Sequence, residues 1–423
     1  MSDKSIFLNK YSELRSLYKY YIDSYTALYQ LKTENEEELS SIYKMIKTNL
    51  IDSKNYLPKY IIKDIVGIIP FNNRYIKSYL TLMKFITDEY NVNDVSKIPI
   101  IFNFVFYKEY GVKLDKSADF EKMNFINSDI HSENTIYRAI MNNDLKAFIL
   151  FTEREGFDKD KKLDSKLYPE NRDRLHLYSN KGYSLLELCC YHGAVDCFKF
   201  LRSKFNSEIT QKCLEFSFLS GNPEIMSECL KYQKPYDDCM RYAIISHNID
   251  FVTFLMNEYN ISINLFDCGF YNNLESFLVY FDQTNDVNKC FVNSVMFDIA
   301  ICEYFFSLGA DINAKIGNKT TALHIAARNN SRELAEYLIL HGANINEKDI
   351  CNHTALHIAA ENNSKETAEI LILHGANINE KDKNGKTSLH IALENNSKET
   401  AKLFISYGAN INEKDKNGII ALH

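Results

Sequence analysis

The sequence predicts an all-α protein, most of it a solenoid of stacked helix pairs with β-turn fingers in the C-terminal repeats and a helical domain in front. Two markers that share one period carry this. The tetrad Thr-Ala-Leu-His begins at Thr321 and Thr354 and returns as Thr-Ser-Leu-His at Thr387 and Ile-Ala-Leu-His at Ile420, each step being 33 residues. The segment Gly-Ala-Asp/Asn-Ile-Asn begins at Gly309, Gly342, Gly375 and Gly408, again 33 apart. A fixed period of this length marks units that bury too little apolar surface alone and stack on their neighbours. Composition is the third observation: 45% hydrophobic and 25% charged residues give this 423-residue chain a core to bury and no case for disorder.

Residues 1–130 carry no repeat. The runs YSELRSLYKYYIDSYTALYQL, ELSSIYKMIKTNLI and NRYIKSYLTLMKFITDEY have the apolar spacing of helices, with Pro58, Pro70 and Pro99 between or before them. They predict a helical domain packed as an N-terminal cap on the stack.

Residues 131–312 hold weaker, shorter copies of the repeat. Asn143, Gly193, Gly221, His247, Asn272 and Phe297 occupy the turn between paired helices that Asn330, Asn363 and Asn396 occupy downstream. From Gly193 to Phe297 the steps are 28, 26, 25 and 25 residues, and the shortfall falls on the finger, so helix pairs with short connections are expected. Between Asn143 and Gly193 the step is 50, the excess being the polar segment Asp158 to Gly182. Its nearly balanced charge and lack of apolar anchors predict a solvated, mobile loop.

Residues 313–423 repeat at 33. Thr354 is placed to cap a first helix whose small residues Ala359 and Ala360 suit close stacking, and Asn362-Asn363 ends it, Asn tolerating the left-handed conformation. Ser364 is expected to cap a second helix with Ala368, Leu371 and Ile372 at helical spacing, and Gly375 to close it. Asn377 to Asp382 forms the finger. Thr-x-Leu-His-x-Ala, an apolar helix and Gly-Ala-Asn-Ile-Asn at this period resemble the ankyrin repeat, a β-turn followed by two antiparallel helices. One departure is that Ala322, Ala355, Ser388 and Ala421 stand where that family usually has proline, which loosens each first turn. With the short copies and the helical front region, the whole chain resembles ankyrin proteins of protist parasites, in which an uncharacterised region precedes the array.

That resemblance implies protein binding through finger tips and the exposed face of the first helix. Carried over position by position, the candidates at the tips and just after them are Ile316, Asn318, Thr320, Asp349, Ile350, His353, Asp382, Lys383 and Lys386. On the first-helix face they are Arg328, Glu361 and Glu394, and before the closing glycine His341, His374 and Tyr407. These positions vary between repeats while the framework around them does not. The expected protein is a non-enzymatic scaffold that binds a protein partner through its fingers and concave face. The alternative is an adaptor subunit of an enzyme complex such as a ubiquitin ligase, with Leu57 to Phe71 as a docking helix.

Other chemistry finds little support. The net charge of −7 without a basic stripe argues against nucleic acid. Phosphate-cradling glycine motifs, HExxH and glycine-flanked nucleophiles are missing, so no catalytic, metal or cofactor site is expected. His324, His357, His390 and His423 recur once per repeat and are read as structural, the imidazole bonding backbone and the Thr hydroxyl so as to tie successive turns together. Cys189, Cys190 and Cys197 fall at inward positions and are read, with His192, as core rather than a metal cluster. Asn329, Asn362 and Asn395 head N-x-S sequons, which helix ends explain. No pair of the ten cysteines is spaced C-x-x-C, and neither an apolar leader nor a run of eighteen apolar residues occurs, so an intracellular, cytoplasmic setting without membrane insertion is expected. The sequence ends inside the first helix of a fifth unit, and Ile419 to Leu422 are expected to be exposed and frayed.

Overall fold

The computed structural model describes residues 11–53, 56–92, 94, 95, 98–120, 132–170 and 182–421. His423 and Leu422, and residues 171–181 of the polar segment, lie outside the described residues. The described chain is helical and carries only isolated β-bridges. It divides into two compact units, Ser12–Asn264 and, with Tyr11, Leu265–His423.

The first unit begins with α1 (Lys19–Tyr29), α2 (Glu36–Ile46), α3 (Pro58–Ile68), α4 (Ile76–Glu89) and α5 (Ile100–Tyr110). Asn35 caps α2 by accepting from the Glu37 and Glu38 amides, and Glu36, Glu37 and Glu38 favour the positive end of its dipole. Pro58 opens α3 at the position where its missing N–H costs nothing. Ile61, Ile62, Ile65, Val66 and Ile68 of α3 are all buried. The apolar face of the segment expected to dock a ligase subunit is therefore core, while Leu57 at its start is 49% exposed.

Four helix pairs follow: α6 (Ile136–Met141) with α7 (Leu145–Thr152), α8 (Leu185–His192) with α9 (Val195–Phe205), α10 (Gln211–Ser220) with α11 (Pro223–Leu230), and α12 (Asp237–Ile245) with α13 (Ile249–Tyr259). Short connections such as 206–210 and 231–236 replace fingers. At the turn inside these pairs the backbone is left-handed at Asn143, Gly193, Gly221 and His247. The polar segment differs from expectation in its described part. Leu163, Leu167 and Tyr168 are buried, Leu163 exchanges two backbone hydrogen bonds of 2.8 Å with Tyr183, and the Tyr168 ring packs on Tyr191 at 4.9 Å. These three side chains, with the buried Pro169, anchor a run that is otherwise mostly charged.

The N-terminal helices lie along the first helices of these pairs, not across an end of the row. The Tyr191 hydroxyl on α8 donates to the Pro70 carbonyl at 2.8 Å and accepts from the Asn73 amide at 3.1 Å. Beyond α12, the Tyr29 ring stacks on His247 at 4.1 Å while the Gln30 amide donates to the His247 carbonyl at 2.9 Å. Phe71 meets Tyr242 of α12 edge-on.

The second unit continues the pairing: α14 (Leu265–Phe270) with α15 (Leu274–Thr284), α16 (Val287–Ser294) with α17 (Ile299–Ser307), α18 (Ala322–Arg328) with α19 (Arg332–Leu340), α20 (Ala355–Asn362) with α21 (Lys365–Leu373), and α22 (Ser388–Glu394) with α23 (Lys398–Ser406). Fingers at 308–321, 341–354 and 374–387 join the pairs from α17 onward. Ala322, Ala326, Ala327, Ala355, Ala359, Ala360 and Ala392 are buried, and these small side chains let first helices approach closely. Leu338, Leu371 and Phe404 of the second helices close the core.

Candidate partner-binding surface

Periodic polar bonds hold the C-terminal repeats in register, and they determine which side chains remain for display. In the finger between α19 and α20, one Asp349 carboxylate oxygen accepts from the Cys351 amide at 2.7 Å and the His353 amide at 2.8 Å. Asp382 does the same for Asn384 and Lys386, and Asp415 for Asn417 and Ile419. Each aspartate thus folds its own hairpin. Those amide bonds, Ile419 first, hold the Asp415 carboxyl below its usual range. Successive hairpins then stack through backbone bonds: Ile350 N–H to the Asn318 carbonyl, Lys383 N–H to Cys351 and Lys416 N–H to Asn384, at 2.9–3.0 Å. Gly385, at φ 76°, sits where a Cβ would lie 2.9 Å from the Lys416 nitrogen, so the close approach of neighbouring fingers requires glycine there.

Three further ladders tie each repeat to the next, two of them between fingers and the third from helix to finger. Lys315, Lys348 and Lys381 pair with Glu347, Glu380 and Glu413 of the following repeat at 2.7–2.9 Å. Asn313, Asn346 and Asn379 accept from the amides of Asn344, Asn377 and Asn410 one repeat on. The histidines form the third. His357 Nδ1 accepts from the Thr354 amide at 3.1 Å, so it carries no proton, and Nε2–H donates to the Lys386 carbonyl in the next finger at 3.3 Å. His324 and His390 repeat this with the His353 and Ile419 carbonyls at 3.0 and 3.2 Å. Burial first, and then the neighbouring His353 ring, lowers His357 to a pKa of about 4, and burial lowers His324 as well. The expectation that these histidines tie turns together is met. His423 lies outside the described residues.

The second helices are capped differently from expectation. Ser364 and Ser397 stand at the N-cap but make no side-chain cap bond. The left-handed Asn330 and Asn363 of the preceding repeat supply it instead, their side-chain Oδ1 atoms accepting from the Thr367 and Thr400 amides at 3.1 Å. Asn143 treats Asp196 and Cys197 of α9 in the same way. Ile419 is 50% exposed, as expected, but is not frayed, because Asp415 and His390 hold its amide and carbonyl and Lys414 bridges Ile420.

Against this frame the candidate positions separate. Asn318, Arg328, His341, Ile350, Glu361, His374, Lys383, Glu394 and Tyr407 are exposed. Ile316, Thr320, Asp349, His353 and Lys386 are half-buried, and Asp382 is buried. Arg328, Glu361 and Glu394 fall in one register on consecutive first helices, and Lys386 reaches Glu394 at 2.6 Å. His353 lies 3.8 Å from the Asp349 carboxylate and 3.5 Å from that of Asp382, its ring stacked over His357. Ile316 and Thr320 pair through two backbone bonds across their hairpin. His341, His374 and Tyr407 stand at the C-caps of second helices, and His341 bonds the Tyr337 carbonyl at 2.8 Å.

Two structural ties in the short pairs escaped the reading of the sequence. Glu187 stands at the register of His324, six residues before the turn. Its carboxylate accepts from the Ser184 amide and, at 2.7 Å, from the Thr210 hydroxyl of the next pair. Glu215, at the same register on α10, is buried between Lys212 and the Tyr236 hydroxyl, and burial raises its pKa. The motif Ser-x-x-Glu at Ser184 was the available signal, being a capping box in phase with Thr-Ala-Leu-His.

Nine of the cysteines are buried and Cys351 is exposed. Cys189, Cys190 and Cys197 pack in the core, burial pushing the Cys197 thiol up to about 12, while His192 bonds the Tyr168 hydroxyl at 2.9 Å. An open groove of about 750 Å³ between α9 and α11 is lined by Val195, Phe198, Pro223 and the exposed ion pair Lys199–Glu224; neither Glu215 nor a cysteine lines it. Among the described residues no helix is long and apolar enough to cross a membrane.

Comparison with protein families agrees with this geometry. Residues 291–382 and 323–415 match the model for ankyrin repeats in three copies, and residues 205–280 match a domain of unknown function, DUF3447. The chain is thus an all-α repeat protein in which a DUF3447 region precedes C-terminal ankyrin repeats. No curated protein matches it. Ankyrin repeats indicate a role in protein–protein interaction, and their architecture is typically non-enzymatic.

Proposed function

We propose that this protein is a non-catalytic scaffold whose C-terminal repeats hold a protein partner against the finger tips and the first-helix face. One observation carries the reading. Tyr191 and Ile245 stand two residues before the turn in their pairs, the register of Arg328, Glu361 and Glu394 in the clear repeats. Tyr191 and Ile245 are buried, and Tyr191 is held by Pro70 and Asn73 from the N-terminal helices. The first-helix face therefore already receives helices of the same chain at α8 and α12. In the clear repeats that register is charged and exposed, beside fingers preorganised by their aspartates. Rigid display lowers the ordering cost of binding.

Arg328, Ile350, Glu361, Lys383 and Glu394 are the central contacts of this reading, with Asn318, Thr320 and Lys386 at the edge. Asp349 and Asp382 act by shaping the hairpins. An adaptor subunit would use the same surface, since the apolar face of α3 is core. The test is affinity capture with mass spectrometry on the full chain and on a variant carrying Ile350→Asp and Lys383→Glu. Loss of a specific partner from the variant alone supports the reading. Equal recovery from both places recognition elsewhere and overturns it.

A further inference from the structure

The second helices carry a feature that neither fingers nor first helices account for. α19, α21 and α23 end in exposed apolar side chains: Leu340 is 70% exposed, Leu373 59% and Ile405 47%. Ile339 and Ile372 are half-buried at the register of Ile405, so an apolar ribbon crosses three adjacent helices. One helical turn earlier runs a row of carboxylates, Glu303, Glu336 and Glu369, each three residues before the ribbon's own register. Arg332 approaches Glu369 only to 3.8 Å, and Lys402 takes the row's place on α23.

We propose that this ribbon docks an amphipathic helix of a protein partner, apolar along one stripe and basic along the flank that faces Glu336 and Glu369, with Glu303 extending the same row onto α17. A contiguous apolar strip left in water on an otherwise charged surface marks an interaction site. The acidic row selects the partner's charge and disfavours an anionic membrane surface. Geometry selects a helix. Packed helices lie about 10 Å apart, and seven residues of a helix rise about 10 Å, so an apolar side chain at every seventh position meets one ribbon step after another. The surface lies on the second helices, so it is independent of the fingers.

The probe is a fluorescent synthetic helix of about 21 residues, long enough to cross the three helices. It carries Leu at the first and fourth positions of each heptad and Lys on one flank; a twin carries Glu in place of Lys. Anisotropy titration of the full chain is expected to show binding of the Lys peptide and at least tenfold weaker binding of its twin. Leu340→Asp with Leu373→Asp is expected to weaken the Lys peptide at least tenfold, each anchor being worth more than about 1 kcal/mol. Ile350→Asp at a finger tip leaves its affinity unchanged. Both leucines already face water, so the variant keeps the wild-type melting curve; if it does not, Leu340→Lys with Leu373→Lys is read instead, and this reverses the preference toward the Glu twin. The proposal is overturned if neither peptide binds, if both bind equally, or if the leucine variants bind as the wild type does. It is also overturned if the wild-type chain sediments as a dimer that the leucine variants dissociate, which would assign the ribbon to a second copy.

Discussion

Lowering the pH from 7 to 5 is expected to weaken the C-terminal repeats before their carboxylates titrate. His357 is buried with Nδ1 committed as an acceptor from the Thr354 amide, so a proton there removes a cap bond and leaves a buried charge beside His353. Its pKa falls from 6.5 to about 4 on folding. The unfolded imidazole therefore takes up a proton near pH 6.5 while the folded one waits until about 4. Protonation favours the unfolded state, and stability is full above about 6.5 and lost as pH falls toward 4. From the 2.5-unit displacement the full loss is about 3 kcal/mol, of which about 2 kcal/mol falls between pH 7 and 5. His324 acts in the same direction, its pKa also being lowered by burial. Glu347, Glu380 and Glu413 are lowered chiefly by their lysine partners, so their contribution is present above about 4.5 and disappears only below it. Urea unfolding at the two pH values, followed on the full chain and on His357→Gln, tests this. The glutamine oxygen can still accept from Thr354 but has no proton to gain, and the pH-dependent loss should shrink by about 2 kcal/mol. An imidazole nitrogen spectrum gives the direct check. A midpoint above 6 for His357, or a proton on Nδ1 at pH 7, would refute the argument.

Three other outcomes follow from the ladders and the core. Asn363→Gly keeps the left-handed turn but removes the cap on Thr400 and should cost about 1 kcal/mol; Asn363→Ala should cost more, by about 1–2 kcal/mol of backbone strain, in denaturant melts of the two variants. Asp382→Ala leaves the Asn384 and Lys386 amides without their acceptor, and should cost about 1–3 kcal/mol and speed hydrogen exchange at those two amides, leaving exchange in the Asp349 hairpin unchanged. A thiol reagent should label Cys351 in the native chain and the nine buried cysteines only on unfolding, because burial both covers them and raises thiols such as Cys239 and Cys302 to about 12.

What the sequence made legible was whatever repeats within one unit. Thr354, His357 and Gly375 keep fixed offsets from one another, and periodicity alone placed helix, turn and finger. Bonds between units were harder, because they depend on how far one pair is displaced on the next, and no spacing within a unit encodes that displacement. Ser364 sits at a cap position and reads as the cap, yet Asn330, 34 residues earlier, reaches the α21 N-terminus. Leu163, Leu167 and Tyr168 were lost for a related reason. Charged neighbours outnumber them, while anchoring needs only a few apolar contacts with partners distant in sequence.

The placement of the N-terminal helices was the largest miss, and its trace was present in the register. Two residues before the turn, the clear repeats carry Arg328, Glu361 and Glu394, whereas the short pairs carry Tyr191 and Ile245. A charge at that register keeps the first-helix face in water, while an apolar side chain there is covered only where helices of the chain reach it: Tyr191 and Ile245 are buried, and Phe270 in the α14–α15 pair is 53% exposed. Finger length changes with the same boundary: the connections are short where Tyr191 and Ile245 are buried, and fingers extend where the face is charged and open. That register therefore separates a charged first-helix face from an apolar one, and the N-terminal helices decide which apolar faces are filled by the chain itself.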